Sequence, residues 1–279
     1  DCPQLLHHGR HWYLLYLQRN TRYRMAPSPS GPFLRPPIRN LGTLYASAGS
    51  RPAFDGKRWV SFPFITRLNG EADGGDWNYG GPLAVPRHLG FLRDGTITEK
   101  PVAEMLSAIR ALRDPGDPAE GARVAAGSWQ TGQQRATCLT PGGGTLFLPA
   151  LPADYYLEFD AILRSKDSDF HLLLRTTPDH LRGYQLALHP RTAQVSLRPI
   201  STWDIDRVLV SRAATIPVGR AFTIRVFLSG SILEVFLDDR ASLTARLYDR
   251  REGLTACEFR DAPGTIENLS WRELDRCPS

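Results

Sequence analysis

From Phe222 to Tyr248, apolar and polar positions alternate through three successive runs. Phe222, Ile224, Val226 and Leu228 interleave with Thr223, Arg225 and Phe227. Leu233, Val235 and Leu237 interleave with Ile232, Glu234 and Phe236, and Leu243, Ala245 and Leu247 with Thr244, Arg246 and Tyr248. Gly230-Ser231 and Asp238-Asp239-Arg240 divide the runs as turns. A period of two held over three runs predicts an antiparallel sheet. Glu234 interrupts the apolar company of its strand. Because a lone carboxylate is rarely buried, it is expected to face the rim.

The same alternation recurs upstream, in Tyr155, Leu157, Phe159, Ala161 and Leu163, then in Phe170, Leu172 and Leu174. Tyr184, Leu186 and Leu188 repeat it, as do Val195 and Leu197, and Leu269 and Trp271 close the pattern. Two packed antiparallel sheets over residues 118–279, each burying one face of its strands, account for it. The first hundred residues read as shorter strands with Gly and Pro between them. His11 to Tyr16 and Thr21 to Ala26 are strands, with a turn at Gly9-Arg10 before the first. Leu44-Tyr45-Ala46-Ser47 reads as short and extended. Arg58 to Ile65 reads as one strand after the Asp55-Gly56 turn, and Asp94-Gly95 as a hairpin turn. Such spacing fits propeller blades or a sandwich. One helix is predicted from Pro101, where a first-turn proline is tolerated. Val102, Met105, Leu106, Ile109 and Leu112 or Arg113 form its apolar face, and Asp114-Pro115-Gly116 stops it. The expected organisation is therefore all-β, with a first unit over 1–100, a helical connector over 101–117 and a sandwich over 118–279.

Composition narrows the function classes. Apolar content of 42% and charged content of 23% suit a globular chain, and 24 Gly and 22 Pro suit many turns. The net charge of +5 comes from Arg, since Lys57, Lys100 and Lys166 are the only lysines. No basic block marks a nucleic-acid arm, and no apolar run approaches the ~18 residues of a membrane helix. No cofactor motif is visible. Gly142-Gly143-Gly144 is followed by neither Lys-Ser/Thr nor a helix start, so it is not a phosphate loop. His7, His8 and His11 cluster at a hairpin tip without an acidic or thiol partner at ligand spacing, which predicts no metal. Cys2, Cys138, Cys257 and Cys277 lack metal spacing and leave two readings open: a disulfide joining Cys138 and Cys257, or buried free thiols. Asn268-Leu269-Ser270 fits a glycosylation sequon, which decides nothing about compartment.

Several stretches resemble glycoside hydrolase family 32, the invertases, inulinases and levanases. Ser231-Ile232-Leu233-Glu234-Val235-Phe236, followed by Leu243 to Tyr248, resembles that family's C-terminal β-sandwich. An Asp usually precedes the family's Ser-x-x-Glu-x-Phe run, and Ser229-Gly230 stands there instead. Asp1-Cys2-Pro3-Gln4-Leu5 resembles its Glu-Cys-Pro-Asp-Leu motif. Tyr23-Arg24-Met25-Ala26 with Ser28-Pro29 and Gly31-Pro32 is similar to the blade that follows. Leu44-Tyr45-Ala46-Ser47 resembles Phe-Tyr-Ala-x, Arg58 to Ile65 occupies the place of an Arg-x-x-x-Gly-Trp strand, and Trp77, Gly81, Leu83, Val85, Pro86 and Arg87 resemble Trp-x-Gly-x-Leu-x-x-Pro-Arg. The pieces fall in the family's order. The resemblance implies the last two blades of a five-bladed β-propeller followed by the sandwich.

It also implies a chemistry. A retaining glycosidase sets two carboxyl groups across the scissile bond, one a nucleophile and the other an acid/base. The family's acid/base is the Glu of Glu-Cys-Pro, and Asp1 stands at that position. Its shorter side chain reaches about 1.5 Å less far. The family's nucleophile motif and its Arg-Asp-Pro both come before Glu-Cys-Pro, so a preceding segment or a second chain is expected to supply the nucleophile. Arg113-Asp114-Pro115 spells Arg-Asp-Pro but follows the connector helix, where it reads as a helix stop. Tyr45, Phe64, Arg67 and Trp77 are candidates for a sugar pocket, since aromatic faces and paired guanidinium donors suit sugar rings and hydroxyls. For the aromatics a core role is an equal alternative, and Phe64 departs from the family's Trp. Two functions follow: a β-fructosidase acting on sucrose or a fructan, or a non-catalytic carbohydrate-binding or packing module derived from one. Neither nucleic acid nor membrane is an expected partner.

Overall fold

The computed structural model describes residues 1–38, 40–43, 45–113, 116–117, 120–201 and 207–275. Every strand pairing in it is antiparallel. Two seven-stranded sheets form the larger part. One runs, in spatial order, through Arg123–Ala126, Gly143–Phe147, Leu254–Arg260, Asp169–Thr176, Gly183–His189, Gln194–Ile200 and Val210–Ala213. The other runs through Trp129–Gly132, Arg135–Cys138, Gly264–Glu273, Tyr155–Leu163, Phe222–Ser229, Ile232–Leu237 and Ala241–Arg246. The alternation read from the sequence sets which face meets the core. Val226, Leu233, Val235, Leu243 and Leu247 on one sheet and Phe170, Leu172, Leu186 and Leu197 on the other are all fully buried in one cluster. Phe170 packs between Phe159 and Phe259, with ring centroids 5.8 and 5.2 Å apart. Offset aromatic pairs of this kind add to the area they bury.

Ahead of the sandwich, two four-stranded antiparallel sheets follow each other. The first is a meander of Gln4–His8, His11–Leu17, Thr21–Ala26 and Asn40–Leu41. The second pairs Ile97–Pro101, Arg87–Phe91, Trp59–Ser61 and Ala53–Phe54 in that order. Tyr13, Leu15, Tyr23, Leu41, Leu89 and Ile97 bury a common cluster between them. Two-stranded pieces, Ser47–Ala48 with Phe64–Ile65 and Arg67–Leu68 with Trp77–Asn78, complete this part.

Several expectations need correction. Arg58 to Ile65 is not one strand. Trp59–Ser61 and Phe64–Ile65 join different sheets, with Pro63 between them. Proline has no N–H for a ladder, so the chain changes partner there. Tyr45 is not extended but turns with φ 63°. The helix runs Ala103–Arg110, because Pro101 closes a strand opposite Arg87 and Val102 caps the helix. Its apolar face is as expected up to Ile109, which packs with Met105 and Leu106 on Val85, Tyr156, Phe227 and Phe236. Leu112, past the helix end, is exposed. Asp114 and Pro115, the expected helix stop, lie outside the described residues. Cys138 and Cys257 are buried free thiols, and burial raises the Cys257 thiol to about 12. Cys277 lies outside the described residues. Glu234 does not face the rim and is 2% exposed.

Candidate functional site

A cleft of about 530 Å³ opens where the first sheet, the short two-stranded pieces and the loop at Tyr45 meet. Asp1, Arg19, Tyr45, Trp77, Asn78 and Tyr79 line it. Asp1 lies beside the end of the strand His11–Leu17, its nitrogen donating to the Leu17 carbonyl at 3.0 Å while the Leu17 N–H donates back at 2.8 Å. This fixes its backbone and leaves the residue exposed at the cleft. Tyr45 and Arg19 both hold left-handed backbone, φ 63° and 65°. Side chains rarely adopt it, and such residues gather where a site fixes their geometry. The Tyr45 N–H donates to the Arg19 carbonyl at 3.1 Å, and the Arg19 guanidinium lies 5.4 Å over the Tyr45 ring. The Thr66 hydroxyl donates to the Tyr45 carbonyl at 2.5 Å. Trp77 lines the cleft and also packs against the sandwich core.

Of the sequence-derived candidates, Asp1, Tyr45 and Trp77 share this cleft. Phe64 lies outside the lining, half-buried, its ring 5.0 Å edge-on from Tyr79. Arg67 is exposed and pairs with Asn78, one strand position from the cleft. Arg19, Asn78 and Tyr79 were missed. Asn78 and Tyr79 sit directly after Trp77 in a motif already noticed, so neighbourhood alone could have raised them. Arg19 carries no sequence signal. Gly81, from the same motif, has a spatial reason: a Cβ there would stand 1.8 Å from the Ile65 carbonyl oxygen, so the chain passes the strand Phe64–Ile65 only as glycine.

Behind the cleft a buried ion network joins the two parts of the chain. Arg87, Glu99, Glu234 and Arg212 are each 5% exposed or less. Arg87 binds Glu99 at 2.9 Å and Glu234 at 2.7 Å, and Arg212 binds Glu99 at 2.7 Å. Backbone and hydroxyl donors complete the carboxylates. Val85 N–H reaches Glu234 at 2.6 Å, Gly42 N–H reaches Glu99 at 2.9 Å, and the Ser242 hydroxyl reaches Glu99 at 3.2 Å. The expectation that Glu234 faces the rim fails because the outward face of its strand is covered by Val85, Arg87 and the helix packing on Phe236. Alternation reveals only that Glu234 opposes the core face, not that something else covers it. The network also ties down the chain ahead of Tyr45, where Arg212 donates to the Asn40 carbonyl at 2.9 Å and Thr244 N–H to the Thr43 hydroxyl at 2.7 Å. Separately, Arg246 donates to the carbonyl of Thr66, a cleft residue, at 3.0 Å.

Burial would raise the Glu99 carboxyl, but Arg212 and Arg87 outweigh it and hold the group down at about 2. A carboxyl lower in the folded state than in the unfolded chain stabilises above the unfolded value, about 4.3 for Glu. That stability is lost as pH falls from there toward about 2. Urea unfolding at pH 7 and pH 3 should show a lower midpoint at pH 3, and Glu99→Gln should flatten the difference. An equal pH response in parent and variant would remove Glu99 as its source.

Among known families, the model of the glycosyl hydrolases family 32 C-terminal domain matches residues 124–273. No curated protein sequence matches the chain. Among solved structures, an exo-inulinase from Aspergillus awamori is 15% identical with a TM-score of 0.62, over 99% of this chain and 57% of that one. A family 32 β-fructofuranosidase from Bombyx mori is 16% identical with a TM-score of 0.61, over 100% of this chain and 55% of that one. A fructan 1-exohydrolase from Cichorium intybus is 16% identical with a TM-score of 0.61, over 96% and 57%. At this identity the likeness is one of fold, and the chain spans between 55% and 57% of these proteins' length.

Proposed function

The chain belongs to glycoside hydrolase family 32 through its C-terminal domain, and from that premise we propose that it is the C-terminal portion of a β-fructosidase-type glycoside hydrolase acting on sucrose or a fructan. Residues 1–100 then supply the last blades of the propeller, 101–117 the connector and 118–279 the sandwich. The observation that carries the reading is the one cleft that Asp1, in a stretch resembling the family's Glu-Cys-Pro motif, shares with Tyr45 and Trp77. Tyr45 and Trp77 offer faces to a furanose ring, and Arg19 offers donors to its hydroxyls. Phe64 and Arg67 sit one layer away, supporting Tyr79 and Asn78. Tyr79 in the cleft and Leu83, bridged to Phe64 beside it, are 80 and 68% exposed. Apolar exposure of this kind is what further blades would cover, whether they precede Asp1 in the natural chain or come on a second chain. Those blades bring the nucleophile, with its carboxyl about 5–5.5 Å from that of Asp1 in a retaining enzyme.

Asp1 protonates the leaving-group oxygen as the bond to the anomeric carbon breaks, then takes a proton from the water that releases the sugar. In the protein assembled with its remaining blades, Asp1→Asn keeps the shape and removes the proton. Sucrose hydrolysis should fall by ~10²-fold or more, and cleavage of an aryl fructoside, whose leaving group needs less protonation, should fall less. Equal sucrose hydrolysis by parent and variant would remove Asp1 from the mechanism. The family match lies wholly in 124–273, outside Asp1, Tyr45 and Trp77, and this favours a second reading, a non-catalytic carbohydrate-binding module. Sugar binding without hydrolysis in the assembled protein would leave that reading ahead.

A further inference from the structure

The face of the sheet containing Asp169–Thr176 that points away from the sandwich core carries an unusual set of polar groups. Phe170, Leu172 and Leu174 turn into the core, so His171 and Leu173 turn outward. Strand register sets Leu173 beside Gln185 and Gln185 beside Arg198, and sets His171 beside Glu258. A cleft of about 300 Å³ opens over these strands, lined by Leu173, Gln185, Arg198, Pro199, Glu258 and Arg260, among others. That volume is at the lower end for a small-molecule pocket, ~300–1,000 Å³.

The lining is organised from beneath. His171 is 3% exposed. Its Nδ1 lies 2.9 Å from Glu258 Oε2 and 2.8 Å from Gln185 Nε2, and this one nitrogen either donates to the carboxylate or accepts from the amide, so the buried ring holds one of the two cleft side chains at a time. Arg260 Nε donates to Glu258 Oε2 at 3.0 Å, which balances that carboxylate's charge. Arg198 is different. Its side chain makes no hydrogen bond or ion pair among the described residues, and its buried Nε is without a partner. Ser196 Oγ and His171 Nε2, on the same face, are also buried without partners. Buried polar atoms in folded proteins are nearly always satisfied, and of these three residues Arg198 is the one that lines the cleft, so its side chain is the group a ligand there would complete.

We propose that this cleft is a second carbohydrate site, holding one neutral, hydroxyl-bearing sugar residue. Glu258 accepts from ring hydroxyls, Arg198 donates to them from a planar fork, and Gln185 does either. Leu173 and Pro199 form an apolar wall for the C–H face of the ring. A lining that mixes a fixed carboxylate with a guanidinium suits hydroxyls, which both donate and accept. It suits an anion less, because an anion only accepts and has no hydrogen to give Glu258, whereas one sugar hydroxyl can accept from Arg198 while another donates to Glu258. The choice of a fructose-containing ligand rests on the β-fructosidase reading, whereas the position of the site does not.

The test is a titration of the chain with D-fructose and with a short levan, followed by amide NMR and calorimetry. Amide shifts should move at residues 183–189, 194–201 and 256–260. Arg198→Ala should weaken levan binding at least tenfold with an unchanged melting temperature, and Tyr45→Ala should leave this binding in place. The proposal is overturned if Arg198→Ala binds as the parent does, or if no sugar moves those amides. It is also overturned if only Tyr45→Ala loses binding, which would leave the Asp1 cleft and the β-fructosidase reading standing. Saturable binding of inorganic phosphate that depends on Arg198 and excludes levan would make this an anion site and overturn it too. Failure of the Asp1→Asn assay bears on the enzyme reading alone, since this titration measures no hydrolysis.

Discussion

Replacing Glu234 with Ala lowers the unfolding free energy by about 3–5 kcal/mol, and the melting temperature by roughly 10 °C. The reason is charge balance in a closed space. Glu99 and Glu234 face Arg87 and Arg212, two carboxylates against two guanidinium groups, with Arg87 only 1% exposed. Removing one carboxylate leaves an excess buried cation and takes the acceptor from Val85 N–H. An uncompensated buried charge costs far more than the intact pair contributes. The companion variant separates the two effects. Arg87→Met combined with Glu234→Leu leaves Glu99 and Arg212 paired, so its loss should fall short of the summed single losses by at least about 1 kcal/mol. Denaturant unfolding of the parent, Arg87→Met, Glu234→Leu and the double variant measures it. A single variant within 0.5 kcal/mol of the parent, or strictly additive losses, would show that water reaches the network. Because the same network holds Asn40, Thr43 and Gly42 next to Tyr45, Glu234→Ala should also weaken ligand binding in the Asp1 cleft.

Replacing Val235 with Asp has an effect of comparable size through a different cause. Val235 is fully buried in the sandwich, opposite Val226 on one neighbouring strand and Leu243 on the other. No cation is placed to meet a carboxylate there: among the described residues the cluster around it is apolar. A charge without a partner either stays ionised at a cost of several kcal/mol or takes up a proton and still loses its water. The expected loss is about 4 kcal/mol or more, at the severe end for a single substitution. Chemical unfolding checks it. The sign of its pH dependence is fixed, since burial raises the new carboxyl and the variant recovers part of its stability as pH falls below neutrality. A parent-like midpoint would mean that Val235 does not face the core.

The contrast between Glu234 and Val235, neighbours in one strand, separates what the sequence determined from what the tertiary structure decided. A strand's side chains alternate by covalent geometry, so the period of two in Phe222 to Tyr248 already implied the strands, their turns and the buried set Val226, Leu233, Val235 and Leu247. The hairpins at Gly9-Arg10 and Asp94-Gly95 and the apolar face of the helix were local in the same sense, because their signals lie within a few residues. What covers the other face of a sheet is not local. Glu234 meets Arg87 across 147 positions of chain, and Arg212 meets Glu99 across 113. No residue pattern announces such partners, so a carboxylate between apolar neighbours looked like a rim charge when it was half of a buried bond. The cleft divides in the same way. Asp1, Tyr45 and Trp77 were legible because each lies in a motif with an expected role. Arg19 reaches the cleft only through the left-handed turn that sets it over Tyr45, and Phe64 and Arg67 stand outside because Pro63 moves the chain from one sheet to another. Arg198 and Glu258 come together only because the distant strand Leu254–Arg260 pairs beside the meander Asp169–Thr176, Gly183–His189 and Gln194–Ile200. Local pattern fixes which way a side chain points; long-range packing decides what it finds there.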